Sequence, residues 1–270
     1  MSDPFQAKLV FVGGSPRSGT TLVQRLLGAH SQVYAGPEFD YMPALAALRD
    51  KMVTSVENGC ISAIADKNIV DDLFRVFVQT IFSAKAFSAG KSVFSEKTPS
   101  NLLHFRTLLD LFPDARFMMV VRHPYDIVAS MKEVARKHRQ MGKRPPAFCS
   151  DVQMSAREVD RYWHAGFEAA LACPGRVHIV NYEDVVEAPG KAALDMCRFL
   201  ELPEEPDMIR IDQADFEATQ TGVSGWYTQE QLQTPIRQQG ADGVGQRLSP
   251  AERAVVANTI TVSHPAIKLI

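Results

Sequence analysis

The stretch "FVGGSPRSGTT", residues 11–21, joins an apolar run to a helical pattern through a glycine-rich loop. The apolar run at residues 8–14 predicts a strand, and leucines and a valine at helical spacing predict a helix over residues 20–29. A loop between a strand and a helix turns backbone N–H groups and the helix dipole toward one anion. The sequence therefore predicts a phosphate-binding loop here.

This loop departs at one position from the phosphate loop of nucleotide triphosphatases. That pattern is G-x-x-x-x-G-K-[ST], and Gly14 and Gly19 keep its spacing while Thr20 replaces the lysine. Without the lysine, and with an arginine inside the loop, the expected ligand is not the triphosphate of a kinase substrate. The predicted hydrogen-bond donors to the phosphate are Arg17, Ser18, Gly19, Thr20 and Thr21.

Composition limits the class of protein. The chain has 270 residues, of which 46% are hydrophobic and 22% charged, as is ordinary for one globular domain. A net charge of -2 gives no global basic field, so bulk nucleic-acid binding is not expected. Four well-separated cysteines indicate neither a metal site nor a disulfide framework. We find no leader pattern and no apolar stretch long enough for a membrane span, and we expect a cytoplasmic protein.

Strands and helices alternate along the chain. Apolar runs predict strands at 8–14, 33–36, 92–99, 116–121 and 176–182. Helical spacing is found at 20–29, 41–89, 101–112, 124–137, 152–172, 189–200 and 249–260. This alternation predicts an α/β fold of the phosphate-loop type, a three-layer sandwich with a central parallel β-sheet flanked by helices. Ligands of such folds bind beyond the carboxyl ends of the strands.

A second anion site is predicted from the strand at 116–121. This strand delivers Arg122 to the same sheet edge as the glycine-rich loop, and Ser130 follows on the next helix, in "VRHPYDIVAS". A guanidinium can hold a phosphate through two hydrogen bonds, and a serine hydroxyl adds a neutral donor. Two anion sites would then face one cleft.

Further motifs accompany these two sites. They are "SPRSGTTLVQRLL", "AHSQVYAGPEF", "SEKTPSNL", "RFMMVVRHPYDIVASM" and "VNYEDVVEAPGKAALDMCRFLELP". Together they span residues 9–203, and the chain resembles sulfotransferases that use 3′-phosphoadenosine 5′-phosphosulfate (PAPS), in particular the bacterial, tyrosylprotein-like branch. The phenol and steroid branch has a lysine-threonine-histidine triplet where this chain has Lys97, Thr98 and Pro99. The resemblance implies sulfuryl transfer from PAPS to a hydroxyl or an amine by in-line displacement, without a metal.

The resemblance also implies which residues bind the donor. They are Arg17, Ser18, Gly19, Thr20 and Thr21 for the 5′-phosphosulfate, and Arg122 and Ser130 for the 3′-phosphate. Tyr182 would pack near the nucleotide. Arg247 would belong to a glycine- and glutamine-rich C-terminal loop, about residues 219–247, that closes over the nucleotide.

Two residues are candidates for the chemistry. Lys97 matches a family lysine that would meet the negative charge growing on the leaving phosphate. Glu38, in "AGPEF", is the candidate general base for the acceptor hydroxyl. The tyrosylprotein relatives place this base directly after the glycine, where the chain has Pro37, so the glutamate is shifted by one. The fallback bases are Glu96, Asp40 and His104.

The acceptor stays open among carbohydrate, lipid, peptide tyrosine and small molecule. We expect one domain, residues 1–270, in which a helical lid at about 41–90 and a loop at 138–150 shape the acceptor pocket. The basic run at 135–144 would either attract an acidic acceptor or form a solvated loop. A homodimer is also left open.

Two other functions remain. A small-molecule kinase of the phosphate-loop class would use the acidic pair Glu183 and Asp184 after a strand, but would need a lysine at Thr20. A catalytically silent nucleotide-binding protein would bind the donor without transferring sulfate to any acceptor.

Overall fold

The computed structural model describes residues 6–211, residue 236 and residues 247–267. Its centre is a parallel sheet in the order β2-β3-β1-β4-β5. The strands are β1 (Lys8–Gly14), β2 (Val33–Ala35), β3 (Val93–Lys97), β4 (Arg116–Val121) and β5 (Val177–Asn181). The helices are α1 (Thr20–Gly28), α2 (Met42–Glu57), α3 (Lys67–Ser88), α4 (Phe105–Leu111), α5 (Pro124–Gln140), α6 (Val152–Ala172), α7 (Tyr182–Glu187), α8 (Pro189–Leu200) and α9 (Pro250–Thr259). Short 3₁₀ segments are Pro99–His104, Ala147–Cys149 and Pro206–Ile209.

β1 is the central strand, and all but its first residue are buried. It pairs with β3 on one side and β4 on the other, so that Val12 lies level with Lys97 and with Met118. Because all the strands are parallel, their carboxyl ends meet at one edge of the sheet. The register therefore brings together the loop after β1, the end of β3 and the residues that follow β4.

Alternate side chains of the strands face two helical layers. Val10 and Val12 of β1 and Met118 of β4 pack in one cluster with residues of α1 and α8. Phe11 and Phe117 lie on the other face, with ring centroids 5.4 Å apart, in a cluster that includes residues of α3, α4, α5 and α6. The predicted three-layer α/β sandwich is confirmed.

The end of β5 differs from the prediction. The strand ends at Asn181 because this side chain accepts hydrogen bonds from the N–H groups of Glu183, at 3.0 Å, and Asp184, at 3.2 Å. Asn181 thus caps α7, a short helix that the apolar pattern did not predict. The cap turns Tyr182 out of the sheet and toward the loop after β1.

The predicted helical region at 41–89 consists of α2 and α3, joined by residues 58–66. Asp66 caps α3 by accepting a hydrogen bond from the Ile69 N–H group at 2.9 Å. Arg49 of α2 and Asp71 of α3 form a buried two-point ion pair, with Nε to Oδ1 at 2.7 Å and Nη2 to Oδ2 at 3.0 Å. These contacts fix the two helices as one hairpin.

No helix within the described ranges is long and apolar enough to cross a membrane. The predicted C-terminal loop at 219–247 lies outside the described residues except for Ile236 and Arg247.

Candidate active site

The loop after β1 contains two residues in the left-handed backbone conformation. Arg17 has φ 73° and Gly19 has φ 102°. Glycine is required at position 19, because a Cβ there would overlap the ring of Tyr182. α1 begins directly afterwards at Thr20, and the first N–H groups of a helix have no partner within it and carry the positive end of its dipole. The loop and α1 together form an anion cradle.

Ser18 lies at the base of this cradle. Its side chain is fully buried, and the structure gives its hydroxyl no hydrogen-bond partner. A Cβ on Gly14 would overlap this hydroxyl, so the strand end and the loop approach each other closely. Leaving a buried hydroxyl unsatisfied costs about 1–3 kcal/mol. An anion oxygen would satisfy it, and the cradle therefore fits a phosphate or phosphosulfate group.

Arg122 and Ser130 lie directly beside the cradle. Arg17 Nε donates to Ser130 Oγ at 3.0 Å, and Arg122 Nη1 donates to the Arg17 carbonyl at 3.4 Å. The Arg122 guanidinium also lies 4.3 Å from the centroid of the Tyr182 ring. Arg122 Nε is buried and has no hydrogen-bond partner in the structure. The two predicted anion sites are thus joined through Arg17, and Arg122 keeps one donor unused.

Lys97 and Glu38 contact each other at the carboxyl end of β3. The Lys97 ammonium donates to Glu38 Oε1 and also to Thr21 Oγ1, the latter at 3.4 Å. The Lys97 side chain is 6% exposed, whereas Glu38 is 23% exposed. The ammonium therefore connects the first turn of α1 to a carboxylate that solvent, or an acceptor, can reach.

Glu96, a fallback base, faces the interior beside Lys97. It is 1% exposed, and its Oε1 accepts hydrogen bonds from Thr98 Oγ1 at 2.7 Å and from the Phe39 N–H group at 3.2 Å. Its Oε2 accepts from Asn101 Nδ2. Burial raises the pKa of Glu96, and the hydrogen bonds from Thr98 and Asn101 oppose that rise. This carboxyl is enclosed and ties the segment after Glu38 to β3.

The other two fallback bases lie in different surroundings. Asp40 is exposed, has φ 65°, and donates its backbone N–H group to Thr98 Oγ1 at 3.2 Å. Burial lowers the pKa of His104, an effect that Asp50 opposes and Arg161 reinforces. The charges that act on His104 thus come from α2 and α6, not from the cradle.

Arg247 is exposed, and among the described contacts its charge acts on Glu133 of α5. Arg136 holds the pKa of Glu133 below its usual value, and Arg247 adds to that effect.

Cys149, which follows the basic run, lies close enough to Arg17 for the two groups to interact. Burial raises the pKa of the Cys149 thiol to about 12 although Arg17 opposes the rise. The segment after α5 therefore returns to the site.

Two polar residues of the site were missed in the sequence. Gln24 of α1 is fully buried and donates from Nε2 to the carbonyl groups of Gly36, at 3.3 Å, and Ser95, at 2.9 Å. It holds the turn before Glu38 against β3. The sequence signal for this role is a glutamine within the apolar spacing of α1, which periodicity alone does not distinguish from a surface residue.

Glu183 is the other missed residue, since the sequence offered it only as one of the acidic pair that a kinase would use. Its Oε1 accepts a hydrogen bond from the His123 N–H group at 2.8 Å. Glu183 therefore anchors the backbone next to Arg122, and its buried Oε2 has no hydrogen-bond partner in the structure.

A parallel α/β sheet with an anion cradle at the start of its first helix and two cations at the same edge is a phosphate-loop type of anion-binding fold. The model of the sulfotransferase family matches residues 10–206. The chain therefore belongs to the sulfotransferase family, as the motifs predicted.

Curated relatives support this assignment. The chain is 28% identical over 210 residues to "Protein-tyrosine sulfotransferase 1" of Danio rerio, covering 75% of this chain and 57% of that protein. It is 26% identical over 252 residues to an uncharacterized protein of Aquifex aeolicus, covering 84% of this chain and 31% of that protein. The chain thus spans only about a third to just over half of these two relatives.

Solved structures share the fold. The sulfotransferase domain from the curacin biosynthetic pathway matches with a TM-score of 0.61 at 20% identity, covering 96% of this chain and 99% of that domain. Mouse sulfotransferase SULT7A1, solved in complex with PAP, matches with a TM-score of 0.54 at 11% identity, covering 93% of this chain and 82% of that protein. At these identities the likeness concerns the fold alone.

Proposed function

We propose that the chain transfers a sulfuryl group from PAPS to a hydroxyl or amine acceptor by in-line displacement. One observation carries the proposal: the Lys97 ammonium contacts both Thr21, at the cradle, and the carboxylate of Glu38. A cation between an anion cradle and an accessible carboxylate is the arrangement that such a transfer needs. Membership of the sulfotransferase family supports the same activity.

The geometry supports the following assignment of the residues that would hold PAPS. The cradle, with the buried Ser18 hydroxyl and the N-terminus of α1, would take the 5′-phosphosulfate. Arg122 and Ser130 would take the 3′-phosphate, with the unused Arg122 Nε as a donor. Arg17 lies between the two groups and could serve either phosphate, since its Nε already reaches Ser130. The Tyr182 ring would keep Arg122 in place.

The chemistry would divide between Glu38 and Lys97. When bound, PAPS supplies the sulfuryl group and leaves as adenosine 3′,5′-bisphosphate (PAP). Glu38 would take the proton from the acceptor hydroxyl, a role worth about 10²–10⁴-fold in rate. Lys97 would offset the negative charge that develops on the leaving phosphate oxygen, without a metal. Because these two side chains touch, the base and the charge stabiliser lie on the same side of the cradle.

The acceptor would approach from the side of the segment after β2. Tyr41 at the start of α2 is 68% exposed, and its ring lies 5.7 Å from that of Phe39, next to Glu38. Within one domain, the α2–α3 hairpin and the loop around Cys149 would border the acceptor pocket, with the C-terminal loop over the nucleotide. Peptide tyrosine, carbohydrate, lipid and small phenols are all candidates. The cytoplasmic location stays a prediction.

Specific residues disfavour the two alternatives, a small-molecule kinase and a catalytically silent nucleotide-binding protein. A kinase would need a cation at Thr20, and the acidic Glu183 is engaged with the His123 N–H group instead of facing the cradle as a free ligand. A silent nucleotide-binding protein would have no use for a buried lysine paired with an accessible carboxylate. Transfer measurements decide between this second alternative and our proposal.

The test combines binding and turnover. Calorimetry should show that PAP binds with micromolar or tighter affinity, and that ATP with magnesium binds much more weakly. Incubation with ³⁵S-labelled PAPS and a panel of tyrosine peptides, oligosaccharides, glycolipids and phenols should label at least one acceptor class. Binding of ATP with magnesium in place of PAP would overturn the proposal in favour of a kinase. PAP binding without transfer to any acceptor would show that the chain is a catalytically silent nucleotide-binding protein.

A further inference from the structure

The outer face of α3 is an apolar surface that the proposed activity does not use. α3 has 22 residues, and its inner face buries Val78, Phe82 and Ala86 against the sheet layer, with the Phe82 ring stacked 4.2 Å from that of Phe94. The opposite face exposes six large apolar side chains, between 38% and 64% exposed: Ile69, Leu73, Val76, Phe77, Ile81 and Phe87. We call these six residues the α3 stripe.

The stripe contains no charged residue. At about 100° per residue, its side chains and the exposed Thr80 and Ala84 fall on one arc of roughly 140° along the helix. The charged residues of α3 lie outside this arc and have partners within the chain. Asp71 binds Arg49 and Lys67, Asp72 binds Arg75, and the Lys85 ammonium lies 5.0 Å from the Tyr34 ring centroid. Covering the stripe would therefore not desolvate an unpaired charge of this helix.

Exposed apolar surface is concentrated here. Of fourteen exposed large apolar side chains in the described part of the chain, six belong to this one helix. At roughly 200 Å² for a whole side chain of this size, they leave about 600 Å² in water. That is at the upper end of the largest patch that a typical monomer exposes. A patch of this size is often functional, and its area can be compared with what a stable interface needs.

We propose that the α3 stripe is covered by the same stripe of a second copy of this chain, across a two-fold axis near Val76 and Phe77. Joining two such faces removes about 1,200 Å² from water, which reaches the lower limit for a stable interface of about 1,200–2,000 Å². A two-fold axis runs the helices antiparallel and pairs a surface with itself. Ile69 would then lie near the partner's Ala84, and Leu73 near the partner's Thr80.

A membrane surface fits this face less well. A helix that lies on a membrane combines its apolar face with lysines and arginines that reach the headgroups. Here Arg75 is occupied by Asp72 and by the Leu111 carbonyl, and Lys67 by Asp71. α3 also carries two aspartates within its first two turns.

The first experiment measures the mass of the chain in solution by light scattering and sedimentation at micromolar concentrations. We expect a particle of about twice 29.9 kDa. Leu73→Glu should halve this mass, because it would bury a carboxylate within the interface, one helical turn from its centre. Leu171→Glu is the matched control: Leu171 of α6 is 76% exposed but lies off the stripe, so this variant should stay dimeric. Both variants should stay folded, with the circular dichroism spectrum of the parent chain and a cooperative thermal transition; the midpoint of Leu73→Glu should fall only by what loss of the dimer accounts for.

The second experiment determines the helix orientation by disulfide trapping, in a Cys60→Ser background because Cys60 is an exposed thiol. A mixture of Ile69→Cys and Ala84→Cys chains should cross-link at least ten times more than either variant alone. The Cys60→Ser parent should not cross-link.

A monomer at 50 micromolar, or a dimer that Leu73→Glu leaves intact, would overturn the proposal. A monomer that co-floats with vesicles of phosphatidylcholine and phosphatidylserine would show that the α3 stripe binds a membrane surface instead. Cross-linking of Ile69→Cys with itself would refute the antiparallel arrangement. None of these outcomes depends on whether the chain binds PAP.

Discussion

The strands on either side of β1 both end beside the cradle with a cation, and the two cations are held in different ways. Lys97 is the last residue of β3, and its ammonium contacts the carboxylate of Glu38. Arg122 follows β4 and is held by neutral groups, the Arg17 carbonyl and the Tyr182 ring, with its Nε unused. A cation already balanced by a carboxylate adds little net attraction for an anion, whereas a cation held by neutral groups keeps its charge available. We expect Lys97 to act in turnover and Arg122 to act in donor binding.

The largest expected effect is on turnover, in Lys97→Ala. Loss of the ammonium removes the group that offsets charge on the leaving oxygen, and removing one such stabiliser costs about 10²–10³-fold in kcat. PAP affinity should stay within a few-fold of the parent value. Radiolabel transfer from PAPS measures the rate, with the acceptor that the screen selects or with water, and calorimetry measures the affinity.

Lys91 provides the control for this substitution. It lies just before the opposite end of β3, where its ammonium donates to the Ser31 carbonyl at 2.7 Å. Lys91→Ala should leave transfer within two-fold of the parent chain. Turnover of Lys97→Ala within a few-fold of the parent would show that this lysine does not stabilise the leaving group.

A smaller effect, on affinity, is expected in Arg122→Ala. Hydrogen bonds to a charged group contribute about 1.5–3 kcal/mol, so loss of the guanidinium should weaken PAP binding about 10- to 100-fold. Adenosine 5′-phosphate, which lacks the 3′-phosphate, should bind both chains nearly equally. Calorimetry with the two nucleotides provides this comparison.

Arg116 is the matched control at the other end of β4, where it forms an exposed ion pair with Glu201 at 2.6 Å. Arg116→Ala should not change PAP affinity. Equal PAP affinities for Arg122→Ala and the parent chain would remove Arg122 from the 3′-phosphate site, and the contrast between the two cations would no longer hold.

Much of this architecture could be predicted because it rests on local patterns. The buried runs of β1 and β4, and the glycines around the cradle, are visible within a few residues of sequence, and the parallel order follows from their alternation with helices. The contact between Arg17 and Ser130 joins residues 113 positions apart, and no local pattern encodes it. The two anion sites were therefore predicted as separate, although one arginine joins them.

The role of Glu96 was predictable in principle. Successive side chains of a strand point to opposite faces, so Glu96 had to lie on the face of β3 opposite to Lys97, and helices cover both faces of this sheet. An inward carboxyl needs donors, and the nearby Thr98 and Asn101 supply them. The donor from Phe39 could not be foreseen, since it depends on how the segment after β2 folds back onto β3.

The smallest effect on turnover is expected at Thr98, because Thr98 acts on Glu38 only through its neighbours. Its hydroxyl donates to Glu96 Oε1 at 2.7 Å and accepts from the Asp40 N–H group at 3.2 Å, so it fastens the segment that carries Glu38. Thr98→Val keeps the shape but removes both hydrogen bonds, and we expect kcat to fall about ten-fold with PAP affinity unchanged. Thr98→Ser keeps the hydroxyl and should restore most of the rate.

A purely structural role for Thr98 would give a different pattern. Thr107 of α4 donates its hydroxyl to Asp50 Oδ2, also at 2.7 Å, in a hydrogen bond of the same kind that involves no residue of the site. Thr107→Val should lower the thermal midpoint by a few degrees without changing kcat. If Thr98→Val behaves in the same way, with a lower midpoint and an unchanged rate, then Thr98 only stabilises the fold. A lower kcat in Thr98→Val alone would show that turnover depends on how firmly the segment after β2 presents Glu38 to Lys97.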